Sequence, residues 1–159
     1  MNPVRRWSMA TLSISRRRYV PSAKASRPRT AWHQPAHRPI ILMVEDDVDD
    51  RLIYGTILDR IGFDVVFAED YESGLRAARE RHPDALLVDI GLPGAKTGLD
   101  LCLDLRRSHD TADLPVIVLS GFSARRVGDA ARAAGCSVYI EKPTSPLAVA
   151  RELQRLLAA

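Results

Sequence analysis

The chain has 159 residues, 46% hydrophobic and 27% charged, which suffices for one domain with a proper core and leaves no room for a second of ordinary size. Two cysteines without CxxC spacing or a His/Cys cluster exclude a disulfide framework and a zinc-type site. With no apolar run of membrane-span or secretory-signal length, they point to a protein of the reducing cytoplasm. The net charge of +3 conceals a division: residues 1–39 hold no acid and nine basic residues, Lys24 and eight arginines, which leaves 14 basic against 20 acidic residues beyond them, a net of −6.

Residues 1–39 mix Arg, Ser and Pro, with Arg16-Arg17-Arg18 in the middle and prolines at the close, and place few apolar residues where they would bury a face. This stretch reads as a disordered basic tail. A solvated extension is the plain account of it. An Arg-rich, acid-free segment also resembles a transit peptide, and it would suit an arm making weak contacts with nucleic acid. Residues 40–159 form the folded domain.

From Ile40 short apolar runs at residues 40–44, 65–68, 85–88, 116–119 and 138–140 alternate with helical patterns. In the first helix Ile53, Ile57 and Ile61 recur at helical spacing with Leu58 on an adjoining face, and Gly62 follows as a stop signal. In the last, Ser145-Pro146 supplies a cap and a first-turn proline, and Leu147, Ala150, Leu153 and Leu157 form an apolar stripe. Continuously apolar strands require burial on both faces. A parallel sheet covered by crossover helices provides that, so the fold class is doubly wound α/β.

In such sheets ligands bind beyond the carboxyl ends of the strands. Glu45-Asp46-Asp47 follows the first run, Asp89 the third, Ser120-Gly121 the fourth and Glu141-Lys142-Pro143 the fifth. Converging carboxylates repel one another unless a cation sits among them, and magnesium suits a sparse set because it keeps waters and accepts phosphate oxygens. A nucleophile, a metal and a mobile lysine are what phosphoryl transfer needs, with Asp89 the favoured nucleophile. One such carboxylate alone would read as a loop residue or a helix cap; four strand ends agreeing point to a site.

The segments at 41–47, 88–94, 120–121 and 139–143 resemble the response-regulator receiver family, in the family's order and near its spacing, over residues 40–157. The resemblance implies a flavodoxin-like five-stranded sheet of order 2-1-3-4-5 with five helices. It implies that Asp89 forms an aspartyl phosphate, received from a histidine kinase or histidine phosphotransfer protein. Asp46 would then ligate Mg2+ directly, Glu45 through water, Asp89 by a carboxylate oxygen and Gly91 by its carbonyl. Lys142 would approach the phosphoryl oxygens. Ser120 would donate its hydroxyl to one of them as the trigger, and Tyr139 would follow as the switch aromatic, against the plain reading of a half-buried strand tyrosine. Asp47 lies one place past the family's acidic pair, and capping of the first helix is its expected role. The resemblance also implies a cis peptide at Lys142-Pro143.

The chain departs from the family in the stretch 94–98, which is one residue longer than usual and lacks an acid, so a mobile loop is expected beside Asp89. Gly91 and Phe122 occupy places where the family steers water onto the acyl phosphate. Neither can orient a water, which predicts a persistent phosphorylated state. Thr144 replaces an aromatic residue, so the last loop should pack differently. His82 and His109 near helix ends read as capping or solvent-facing, and Arg125, Arg126 and Arg132 as a charged helix face that would also fit a partner. The main reading is a signalling switch acting on an output protein that the sequence does not identify, with dimerisation on phosphorylation as one form of output. A phosphorelay intermediate is the alternative within the same chemistry. A haloacid-dehalogenase-like phosphohydrolase would want a second aspartate two residues after the nucleophile, where Gly91 stands.

Overall fold

The computed structural model describes residues 37–158. The basic tail expected over residues 1–39, with its nucleic-acid contact, therefore falls outside the described residues except for 37–39. Ten elements alternate strictly: β1 Ile40–Val44, α1 Val48–Ile61, β2 Asp64–Ala68, α2 Tyr71–Arg81, β3 Ala85–Asp89, α3 Gly98–Arg106, β4 Val116–Ser120, α4 Ala124–Ala133, β5 Val138–Glu141 and α5 Pro146–Leu157. The strands form one parallel sheet in the order β2-β1-β3-β4-β5. Among the described residues no helix is long and apolar enough to cross a membrane.

The central strands are apolar without interruption because both of their faces are covered. Leu42, Val44, Leu86, Val88, Val116 and Val118 point to one side, where Tyr71 and Ala78 of α2 and Leu101 and Leu105 of α3 meet them. Ile41, Met43, Ala85, Leu87, Ile117 and Leu119 point to the other, against Tyr54 and Leu58 of α1 and Val149 and Leu153 of α5. The period of two along each strand thus divides one apolar run between two cores. The edge strands β2 and β5 are only partly buried.

Two helical stripes differ from expectation. In α1 the buried line runs through Tyr54, Gly55 and Leu58, while Ile53 is 51% exposed. Gly55 lies so close to Phe67 that an added Cβ would stand 2.5 Å from the ring, which brings that side of the helix onto β2. In α5 the buried residues are Val149, Ala150 and Leu153, and Leu147 is 53% exposed. An isoleucine or leucine one place around the helix satisfies the same spacing rule, so spacing alone does not choose the stripe that faces the sheet.

The helix ends follow local chemistry. Asp47 caps α1 by accepting from the N–H groups of Asp49 and Asp50, and Gly62 closes it in the left-handed conformation at φ 113°. Capping boxes start α2 at Asp70/Ser73 and α3 at Thr97/Asp100. Ser145 caps α5 ahead of Pro146, and His82 ends α2 at φ 46°.

Candidate functional site

All the singled-out strand ends lie at the carboxyl edge of the sheet. The strands extend one residue further than the apolar runs at β3, β4 and β5, so Asp89, Ser120 and Glu141 are the last residues of their strands. Lys142 follows at once; its N–H donates to the Ser120 carbonyl (2.8 Å), and its bond to Pro143 is cis. The ammonium then reaches across β4 and bridges three carboxylates: Glu45 Oε2 at 2.6 Å, Asp50 Oδ2 at 2.8 Å and Asp89 Oδ2 at 2.7 Å. The other Asp89 oxygen, Oδ1, accepts the Gly91 N–H at 2.9 Å. Both oxygens of Asp89 are thereby oriented by donors from this chain.

Gly98 sets how closely the turn after β3 folds back. A Cβ there would lie 2.0 Å from the Asp89 carbonyl oxygen, so only glycine allows the start of α3 to rest on Asp89. The intervening loop, expected to be mobile, makes contacts with α2 and α3. Lys96 Nζ meets the Tyr71 hydroxyl at 2.8 Å and Asp104 Oδ2 at 3.3 Å, Tyr71 also donates to Asp104, and Thr97 caps α3. The missing acid is offset by a lysine that finds an acid on α3.

Glu45 is 2% exposed and Lys142 18%. Burial pushes the Glu45 carboxyl above the usual carboxylate range, opposed by its bonds to Lys142 and to the Asp47 N–H, and the Asp89 charge adds to the rise. At Lys142 burial disfavours the ammonium, but its bonds to Asp50, Asp89 and Glu45 outweigh that and hold its pKa above the ordinary lysine value. Asp46, which carries no side-chain bond among those of the described residues, is exposed. The group is therefore richer in carboxylates than its one ammonium balances, and all its donors are hard oxygens, which fits a small divalent cation. Among the described residues no three acidic, His or Cys side chains are gathered closely enough to chelate a metal as they stand, and the Lys142 ammonium lies between Glu45, Asp50 and Asp89.

Ser120 is fully buried, and its Oγ accepts the Phe122 N–H at 3.1 Å. Tyr139 donates its hydroxyl to the Phe122 carbonyl at 2.5 Å. One residue thus touches both switch candidates, its N–H on Ser120 and its C=O on Tyr139. Gly121 has open space around it, and the half-exposed Phe122 ring lies 5.3 Å from the Arg126 guanidinium. Glu141 accepts the Ala124 N–H at 3.3 Å, which serves α4 where Ser123 supplies no side-chain cap. Thr144 takes the Tyr54 hydroxyl on its carbonyl at 3.1 Å, so the loop after Pro143 leans on α1.

Sequence reasoning missed two residues. Asp50 sits in the first turn of α1, where an acid is ordinarily explained by the helix dipole, and no local spacing shows that it meets a lysine 92 residues away. Arg51 donates to the carbonyls of Glu45 (2.9 Å) and Asp46 (3.3 Å) and pairs with Glu69 at 3.2 Å, fastening the acidic turn to the end of β2.

Comparison with known proteins agrees with this architecture. Residues 41–154 match the model of the response regulator receiver domain. The chain is 36% identical over 106 residues to the phosphate regulon transcriptional regulatory protein PhoB of Escherichia coli, covering 67% of this chain and 46% of PhoB, so it spans about half the length of that relative. It is 30% identical over 105 residues to the polar-differentiation response regulator DivK of Brucella ovis, covering 66% of this chain and 85% of DivK. Among solved structures it resembles the receiver domain of a sensor histidine kinase from Pseudomonas aeruginosa, which has magnesium coordinated in its active-site cleft. That likeness has a TM-score of 0.71 and 25% identity, and covers 77% of this chain and 99% of the other.

Proposed function

The chain belongs to the response regulator receiver family, and on that premise we propose that it is a cytoplasmic phosphorylation switch whose acceptor is Asp89. The observation that carries this reading is the contact of Lys142 Nζ with Asp89 Oδ2 at 2.7 Å, made by an ammonium that also gathers Glu45. An Asp89 carboxylate oxygen forms a bond to phosphorus as the bond from phosphorus to a donor histidine nitrogen breaks, and the nitrogen keeps the electron pair. The Gly91 N–H holds Asp89 Oδ1 and so sets the carboxylate plane for an in-line approach. Lys142, an ammonium at neutral pH as lysines ordinarily are, stabilises the oxygens of the transferred group.

Asp46, Glu45 through water, an Asp89 oxygen and the Gly91 carbonyl are the groups that would hold Mg2+. When bound, the cation would offset the excess carboxylate charge and draw in the phosphoryl oxygens. Ser120 then has a reason to move: its hydroxyl leaves the Phe122 N–H for a phosphoryl oxygen. Phe122, bonded through its carbonyl to Tyr139, carries that movement to the surface of β5. The donor is a histidine kinase or a histidine phosphotransfer protein, and the readout is a protein partner that meets the changed surface. With Gly91 and Phe122 beside the acyl phosphate, the phosphorylated state should persist.

Purified protein incubated with Mg2+ and acetyl phosphate should gain one phosphate by intact mass, and Asp89→Ala should gain none. A folded wild-type protein that stays unmodified under these conditions would refute the reading.

A further inference from the structure

We propose that Asp50 is a positioning residue for Lys142: its carboxylate anchors the ammonium while the other two acids on that ammonium are claimed by the chemistry. The proposal rests on Asp89 being the phosphoryl acceptor. An ammonium has three N–H donors, and here each has a carboxylate: Glu45 Oε2, Asp50 Oδ2 and Asp89 Oδ2 at 2.6, 2.8 and 2.7 Å. Two of these acceptors have other work. The Asp89 carboxylate becomes part of an acyl phosphate, and Glu45 faces the cation site. Asp50 alone has no second duty, so it remains to hold Lys142 when the others are drawn away.

Its placement suits that task. Asp47 accepts the Asp50 N–H at 2.9 Å, which fixes the backbone from which the side chain projects. Asp50 is 33% exposed, more than Lys142 at 18%, so it stands on the open side of the ammonium. There it lines, with Ile53, Tyr54, Pro143 and Thr144, a cavity of about 380 Å³. Without Asp50 one Lys142 donor would turn to water in this cavity, and the ammonium would drift from the line between β3 and β5. The competing account, an acid placed only to favour the start of a helix, predicts no effect on Lys142.

Full-length Asp50→Asn, Asp50→Glu and Asp49→Asn variants separate the two. Asp49→Asn removes the same charge from the same turn without touching Lys142. The Lys142 ammonium resonance, read by nitrogen-proton NMR in unphosphorylated, magnesium-free protein, should shift and broaden in Asp50→Asn and stay in place in Asp49→Asn. The rate of phosphorylation by acetyl phosphate at saturating Mg2+ should fall on the order of tenfold in Asp50→Asn, with part of the rate returning in Asp50→Glu. An unchanged resonance and rate in Asp50→Asn, or equal losses in Asp49→Asn, would overturn the proposal. A wild-type protein that takes up no phosphate instead overturns the acceptor reading. The two failures stay distinguishable because the resonance is read before any phosphate is added.

Discussion

The two ends of the sheet handle charge in opposite ways. At the amino end Arg38 and Asp84 find their partners close by. Arg38 donates to Asp59 Oδ1 (2.7 Å), to the Asp59 carbonyl (2.6 Å) and to the Phe63 carbonyl, its Nε pairs with Asp64 at 3.1 Å, and Asp84 accepts the Ile40 N–H at 2.7 Å. At the carboxyl end Glu45, Asp50 and Asp89 share the single ammonium of Lys142, and Asp46 lies exposed next to Glu45 in the chain. The larger cavity, about 510 Å³, lies at the amino end, between α1 and the end of α5. The candidate site is therefore set apart by its unbalanced charge rather than by the size of its cavity, and a surplus of carboxylates costs stability unless it serves a cation.

The sharpest way to break this comparison is to remove the ammonium that the three carboxylates share. Lys142→Ala should cost about 3 kcal/mol of unfolding free energy in magnesium-free buffer at neutral pH, since it strands the nearly buried Glu45 beside Asp89. Urea denaturation checks this, and added Mg2+ should restore part of the loss. A cost no larger than that of an amino-end variant would mean that the two ends do not differ. Gly98→Ala comes next. Its methyl group would press on the Asp89 carbonyl at 2.0 Å and on Val88 Cγ2 at 2.9 Å, for about 2 kcal/mol by the same measurement and a phosphorylation rate that falls with it.

The pH dependence sharpens the contrast. Lys142 has a folded-state pKa above its unfolded value, so its contribution to stability is fully present below about pH 10.4 and is lost as pH rises through the folded value. The alkaline fall in the unfolding midpoint should be shallower in Lys142→Met. The capping acids behave oppositely. Bonds from the Ser73 side chain and N–H hold Asp70 below the usual range, as the Thr97 N–H and hydroxyl do for Asp100. Their contribution is present above about pH 3.9 and lost on acidification. Asp70→Ala should cost about 1 kcal/mol at pH 7, and the cost should shrink as the pH falls through the folded-state value. The smallest effect belongs to Arg38→Ala, at most about 1 kcal/mol, with the response of the unfolding midpoint to Mg2+ unchanged.

Much of the fold was legible because its signals are local. Gly62, Ser145-Pro146 and Asp47 act on their own helix ends, and five apolar runs separated by helical patterns admit few arrangements. The helix faces were read less well. Ile53 and Leu147 fit their stripes by spacing yet face outward, because the angle at which a helix settles on the sheet is decided by close approaches such as Gly55 on Phe67. The stretch 94–98 read as loose by its length and composition, but Lys96 is tied to Tyr71 and Asp104, both remote in sequence.

The sequence by itself determined which residues could do chemistry, because short apolar strands end abruptly in Glu45-Asp46, Asp89, Ser120 and Lys142, and a parallel sheet brings such ends to one edge. Only the tertiary structure decided how those groups are shared. It placed Asp50 rather than Asp47 on the lysine and made Phe122 the link between Ser120 and Tyr139, because an ammonium takes whichever acceptors the packed helices leave within reach, and no spacing along the chain encodes that reach.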